Sequence, residues 1–304
     1  MSDTHTASGS GRHKVILLGE HAVVHGTRAL GAPLDGEVVV EVVRGTVSSL
    51  QLSGAGGEQV PEALARMARQ AGVQSEGLEV RVKTGLEAGA GLGGSAALCV
   101  AFARAILSLT DRGQEKEAVV ELAQEGERVF HGNPSGIDAW LAASTSPALF
   151  SRREVPRDVE VAENLHLAIL VDEARADTSS MVQNVARLHE SDRERVGAIF
   201  ADIEALVIEA AEAIRTGARR ELGRLMTANH ALLGSLGVTT DGLDHLRDRA
   251  LEAGALGAKM TGGGGGGAVI ALAQDGAGAE RVVRKASGAA RLAFTAVVAT
   301  TGGA

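Results

Sequence analysis

Six side chains stand where their types and spacing could do chemistry: Ser95, Glu127, Asp138, Lys14, Glu20 and His21. Ser95 directly follows the glycines of the run "AGAGLGGSAAL", which carries Gly89, Gly91, Gly93 and Gly94 just ahead of a helix-forming sequence. Glycine loses more entropy on ordering than any other residue, so such a loop implies unusual dihedrals or a ligand close to the backbone. Helix starts leave N–H groups unpaired and carry the positive end of the macrodipole, which suits a phosphate. A flexible turn closed by serine is the plainer alternative. The loop is no Walker sequence, because Gly-Lys-Ser/Thr is absent.

Projected at about 100° per residue, 115–130 is an amphipathic helix with Glu127 inside the apolar arc. A buried carboxylate needs a cation or several donors, and a hard divalent cation prefers carboxylate and hydroxyl oxygens. Glu127 with Ser95 could make such a pair; an edge carboxylate reaching water or an arginine is the alternative. In "HGNPSGIDAW" a rigid turn precedes Asp138, placed to accept a proton from a hydroxyl or, equally, to open a helix. "KVILLGEHAVVHG" opens a strand at Lys14 and leaves it at Glu20 and His21, and strand exits are common binding positions. His21 and His25 lie four apart, but with no third ligand nearby a zinc site is a weak reading. The six glycines 262–267 stand between apolar strand sequences, which favours a packed backbone floor over a linker.

The elements that must position these groups follow from periodicity. Strands are expected at 13–18, 37–43, 49–52, 78–83, 165–172, 268–273 and 292–300. Helices are expected near 61–71, 94–110, 115–130, 179–190, 193–215, 218–235, 241–253 and 277–288. Residues 1–12 read as a disordered tail. A boundary near 160 separates an N-terminal nucleotide-binding and catalytic domain, 13–160, from a C-terminal domain, 161–304. The mixture without strict alternation gives an α+β architecture in two lobes.

Composition sets limits. Of 304 residues 45% are hydrophobic but only 2% aromatic, so the core is built from Val, Leu, Ile and Ala. The net charge of −8 comes without a basic stripe, which argues against nucleic acid as partner. No apolar run is long enough for a membrane span, no signal peptide is evident, and a single cysteine, Cys99, fits a reducing, cytoplasmic setting.

Three stretches in order, "KVILLGEHAVVHG", "GAGLGGSAAL" and "AKMTGGGGGGAVI", resemble the signature motifs of the galactokinase–homoserine kinase–mevalonate kinase–phosphomevalonate kinase superfamily. The first, and "GERVFHGNPSGID", are most similar to the mevalonate kinase family. The resemblance spans residues 14–273. It implies a ribosomal S5 domain 2-like N-terminal lobe, a ferredoxin-like C-terminal lobe, and phosphorylation of mevalonate's 5-hydroxyl by ATP with Mg²⁺. It assigns Asp138 and Lys14 as catalytic and Ser95 and Glu127 as metal ligands. Gly89, Ala90, Gly91, Leu92, Gly93, Gly94, Ser95 and Ala96 would wrap the ATP phosphates. Lys14, Glu20, His21, Asp138 and Thr178 would contact mevalonate. Thr261, Gly262, Gly263 and Gly264 of the third motif would support the nucleotide loop. A homodimer is the assembly it implies. Gly94 stands where a serine is frequent, Glu87 and Ala88 where prolines are usual, and Gly263 where alanine is usual. Ser179 replaces a basic residue, leaving the substrate carboxylate's partner open. A related kinase for another small hydroxy acid, phosphomevalonate or a sugar, or a nucleotide-binding sensor without catalysis, are the alternatives.

Overall fold

A computed structural model describes residues 6–45, 50–54, 57–85, 91–132, 134–174 and 178–301, without the side chains of 178 and 179. In chain order the elements begin with β1 (Thr6–Leu18), a 3-10 turn (Ala22–His25), β2 (Ala29–Arg44) and β3 (Gln51–Gly54). Next come α1 (Val60–Gln70), β4 (Leu78–Thr84), α2 (Gly94–Leu109), α3 (Lys116–His131), α4 (Ile137–Ala143), β5 (Ala148–Phe150) and β6 (Arg157–Asp158). The remainder is β7 (Leu165–Val171), α5 (Thr178–Ser191), α6 (Arg193–Thr216), α7 (Arg219–Ser235), α8 (Asp241–Glu252), β8 (Gly257–Thr261), β9 (Ala268–Ala273), α9 (Gly276–Ala286) and β10 (Leu292–Val298).

The chain forms two compact units, each assembled from separated segments. The first comprises Met1–Lys14, Gly36–Ala88 and Gly93–Ser144. Its sheet is made where Val38–Arg44 of β2 pairs antiparallel with β4, which pairs parallel with β3. Strand β4 alternates as a half-buried strand must: Leu78, Val80 and Val82 face the core while Arg81 and Lys83 are exposed. Helix α2 is buried along most of its length. Ala97, Val100, Ala101, Phe102 and Ile106 pack within one core shared with α1, α3 and α4.

Residues 6–12, expected as a disordered tail, are strand instead. Gly9 and Gly11 lie so close to α2 that a side chain at either would begin 2.2 Å from Ala101 O or 2.1 Å from Ala97 O. The small, polar composition that reads as a tail is what lets this backbone press onto a helix of alanines.

The second unit comprises Val15–Asp35, Gly89–Leu92 and Thr145–Ala304. A four-stranded antiparallel sheet, ordered β10-β7-β9-β8, carries α7, α8 and α9 against it. Strand β7 is apolar except for His166, and β9 is a continuous apolar run, fully buried. Helices α6, α8 and α9 start on side-chain caps: Asp192, Thr240 and Asp275 accept from the N–H groups of Arg195, Leu243 and Gly278. Ala29–Gly31 of β2 pairs here with β5. Among the described residues no helix is long and apolar enough to cross a membrane.

Candidate active site

In the first unit Lys14 leaves β1 almost completely buried, with its Nζ 2.8 Å from Asp138 Oδ1. Asp138 is the second residue of α4, reached through Gly136 in the left-handed region at φ 90°. The plainer expectation for Asp138, an acid that opens a helix, is what is found. Its side chain is about a third exposed (34%), so one partner is an internal cation while the carboxylate stays accessible.

Gly93 fixes where that lysine lies. It precedes α2 with φ 69°, and a side chain there would begin 2.5 Å from Lys14 Cε. Any other residue needs both a strained backbone and a displaced lysine. Gly93→Ala is expected to lower kcat at least about tenfold while costing only about 1–2 kcal/mol of stability. Steady-state kinetics beside denaturant melts check this; unchanged kcat would show that the lysine's path is not critical.

Ser95 sits in the first turn of α2 without capping it, so its hydroxyl is free to reach sideways. Its Oγ lies 3.3 Å from His131 Nε2, and that nitrogen is 3.8 Å from Glu127 Oε2. Glu127 and His131 are one helical turn apart on α3 and so share a face. Glu127 is 1% exposed. Among the described residues its Oε2 has no hydrogen-bond partner, while Oε1 accepts from the Cys99 thiol at 4.0 Å. The alternatives of water contact or an arginine pair are thus not what is found; Arg128 on the same helix pairs with Glu125.

Burial pushes the Glu127 carboxyl up to about 7, aided by the negative charge of Asp138 and opposed by the Ser95 hydroxyl and Lys14. The same burial, with Glu127 beside it, holds the Cys99 thiol well above its usual range, which makes it unreactive. A buried, unbonded carboxylate oxygen next to a hydroxyl is the donor chemistry a hard divalent cation takes, so these residues fit Mg²⁺. Among the described residues no group of three His, Cys, Asp or Glu side chains forms a metal cage, and the His21/His25 spacing makes none.

A pH dependence follows. Glu127 titrates near 7 when folded against about 4.5 unfolded, so between those values the folded state holds the extra proton. Its stability contribution is therefore greatest at acid pH and is lost as pH rises through 7. Without divalent cation, wild type should lose on the order of 3 kcal/mol relative to Glu127→Gln between pH 4.5 and 8. Urea melts of both proteins in chelator test this; parallel pH curves would contradict it.

The second unit brings other predicted residues together. Lys259, fully buried in β8, pairs with Glu20 Oε1 and also donates to the Met260 carbonyl. Asn229 Nδ2 donates to Glu20 Oε2 at 3.4 Å. Both carboxylate oxygens of Glu20 are thus engaged inside the protein. Burial lowers the Lys259 ammonium, and Glu20 opposes it. His21 holds φ 61°, a left-handed conformation uncommon outside glycine, and its Nε2 lies 3.0 Å from the Gly263 carbonyl. A carbonyl only accepts, so Nε2 carries the hydrogen. Burial drives the His21 imidazole down to about 4, so the ring is neutral and Nδ1, buried and without a partner among the described residues, presents a lone pair. His25 instead stacks on Phe200 at 4.7 Å.

The third motif is a tight turn. Gly262, Gly264, Gly265, Gly266 and Gly267 all have positive φ, and a side chain on Gly264 would begin 2.2 Å from Val238 O. Thr261 Oγ1 donates to the Ile16 carbonyl and accepts from its N–H, both at 3.0 Å. Gly91 O lies 3.8 Å from where a Gly262 side chain would start, so that end of the first glycine loop rests on this turn. Gly91 to Ala96 are described; Gly89, Ala90 and the Thr178 side chain lie outside the described residues.

The sequence reading missed His131, Lys259 and Asn229. The signals were present: His131 stands four residues after Glu127, and Lys259 interrupts an otherwise apolar strand.

Comparison with known proteins agrees. The GHMP kinases N terminal domain matches residues 58–145, and the GHMP kinases C terminal domain matches residues 210–291. The mevalonate kinase of Aeropyrum pernix is 31% identical over 318 residues, covering 97% of each chain. That of Archaeoglobus fulgidus is 32% identical over 254 residues, covering 82% of this chain and 86% of its own. The crystal structure of L. major mevalonate kinase in complex with R-mevalonate superposes with a TM-score of 0.92 at 27% identity, over 99% of this chain and 98% of that one. With both domains matched and relatives above 30% identity along nearly its whole length, the chain belongs to the mevalonate kinase family of the GHMP kinases.

Proposed function

We propose that this chain transfers the γ-phosphoryl group of ATP to the 5-hydroxyl of mevalonate, giving 5-phosphomevalonate and ADP. The observation that carries the reading is the Lys14–Asp138 ion pair, in the same unit as Ser95 and the buried Glu127, whose Oε2 has no hydrogen-bond partner among the described residues. Asp138 takes the proton of the acceptor hydroxyl. The freed oxygen forms its bond to the γ-phosphorus as the bond from that phosphorus to the β–γ bridging oxygen breaks, and ADP leaves with the electron pair. Lys14, 2.8 Å from Asp138, holds that carboxylate in place and counters charge growing on the acceptor oxygen. Ser95 and Glu127 would hold Mg²⁺, which neutralises charge on the ATP phosphates. The N–H groups at the start of α2 and of the glycine loop offer further donors to those phosphates. Most of the acceleration comes from positioning and charge stabilisation, since phosphoryl transfer needs little covalent help from protein.

In the second unit Glu20 acts through its internal bonds rather than as a free carboxylate. His21, neutral, offers Nδ1 as an acceptor and so suits a substrate hydroxyl better than a carboxylate. An ADP-release assay with Mg²⁺ and a panel of acceptors tests the reading. Turnover is expected with mevalonate and at most trace turnover with phosphomevalonate, homoserine or galactose. Preference for another acceptor would reassign the substrate, and ATP binding without turnover would favour the sensor alternative.

A further inference from the structure

We infer that His131 is a third protein ligand of the divalent cation, completing a serine–carboxylate–imidazole donor set. The inference rests on Ser95 and Glu127 being ligands and adds a residue that neither the helical projection nor the family resemblance assigned.

Three observations carry it. First, His131 Nε2 lies 3.3 Å from Ser95 Oγ and 3.8 Å from Glu127 Oε2, so one nitrogen faces both oxygen donors. Adjacent ligands on a cation with bonds of about 2.1 Å sit about 3 Å apart, so the three atoms need shift by less than an ångström to share one ion. Second, Glu127 Oε2 is buried and unbonded on the side of His131. An oxygen left bare costs stability unless something of opposite charge arrives. Third, Glu127 and His131 project from one turn of the same α-helix, and Ser95 from the first turn of another. All three therefore stand on rigid elements rather than on loops, as a metal site requires.

The chemical consequence concerns which ion is held. Magnesium prefers oxygen and is indifferent to an added imidazole, whereas Mn²⁺ and Co²⁺ gain from one. The donor set therefore favours Mn²⁺ and Co²⁺ over Mg²⁺ beyond what an oxygen-only site would show. Replacing His131 should lower the affinity for Mn²⁺ at least about tenfold and that for Mg²⁺ distinctly less.

The test is pulsed electron paramagnetic resonance on the full chain with Mn²⁺ and a non-hydrolysable ATP analogue. Wild type should show modulation from a directly bound ¹⁴N, altered when the histidines carry ¹⁵N and absent in His131→Ala. The Mn²⁺-over-Mg²⁺ preference, by competition, should fall about tenfold in the same variant. Wild type needs no mutation to give its nitrogen signal, so a poorly folded variant would not obscure the answer. Bound Mn²⁺ that depends on Ser95 and Glu127 but shows no nitrogen coupling would overturn the inference and leave the two-ligand site standing. Mn²⁺ binding that ignores Ser95→Ala and Glu127→Gln, or a spectrum of free Mn²⁺ only, would overturn both.

Discussion

Asp138→Asn lowers kcat by about 10²–10⁴-fold, with KM for ATP nearly unchanged. The amide keeps the shape of the carboxylate but cannot take a proton or carry charge. The variant also leaves the Lys14 ammonium, 5% exposed, without its anion at 2.8 Å. Breaking a buried pair from one side typically costs about 3–5 kcal/mol, reduced here because Asp138 is partly solvated. Stability and catalysis are therefore coupled in the single variant and need separating. Lys14→Met combined with Asp138→Asn removes the orphaned charge, so stability should recover toward wild type while kcat stays as low or lower. Recovery of turnover in the double variant would mean that the single loss came from misfolding. Kinetics and denaturant melts of the four-member cycle decide between them.

The largest stability effect is expected at Lys259. Lys259→Met leaves Glu20 buried, 4% exposed, with the Asn229 amide as its remaining side-chain partner among the described residues. The expected cost is about 3–5 kcal/mol, a large share of a typical domain's stability. Lys259→Met with Glu20→Gln should regain a good part of it, because two uncharged groups of similar size need no compensation. A single-variant loss below about 1 kcal/mol, the range of a surface ion pair, would show that the pair is effectively solvated. Glu20 directly precedes His21, whose left-handed backbone is strained for a residue with a side chain.

Much of the site was legible because its chemistry is local in sequence. The glycine loop, the serine that follows it and the turn before Asp138 each depend on residue types a few positions apart. Glu127 was legible from period alone, since a carboxylate inside an apolar stripe contradicts the helix that carries it. What escaped depends on partners distant in sequence. Nothing near Lys259 says that its counter-ion is 239 residues away, although its place within a buried strand posed the question. His131 reads as an ordinary helix-end residue until Ser95, 36 residues earlier, is set beside it. Residues 6–12 look like a tail because glycine and serine carry no apolar pattern, and their partner, the alanine face of α2, is seen only in the fold. Strand β8 was passed over as a lead-in to the glycines. Its five residues are all buried, and that burial comes from β9 and α7 rather than from its own composition.

The central claim is that Asp138 takes the acceptor's proton while ATP is held at Ser95 and Glu127. Phosphorus NMR of the reaction of ATP, mevalonate and Mg²⁺ with wild type and with Asp138→Asn tests it most directly. The account predicts a new phosphomonoester resonance, split by one methylene group, that grows with ADP in wild type and is nearly absent in the folded variant over the same time. The same resonance appearing at the wild-type rate with Asp138→Asn, or never appearing with wild type, would contradict it.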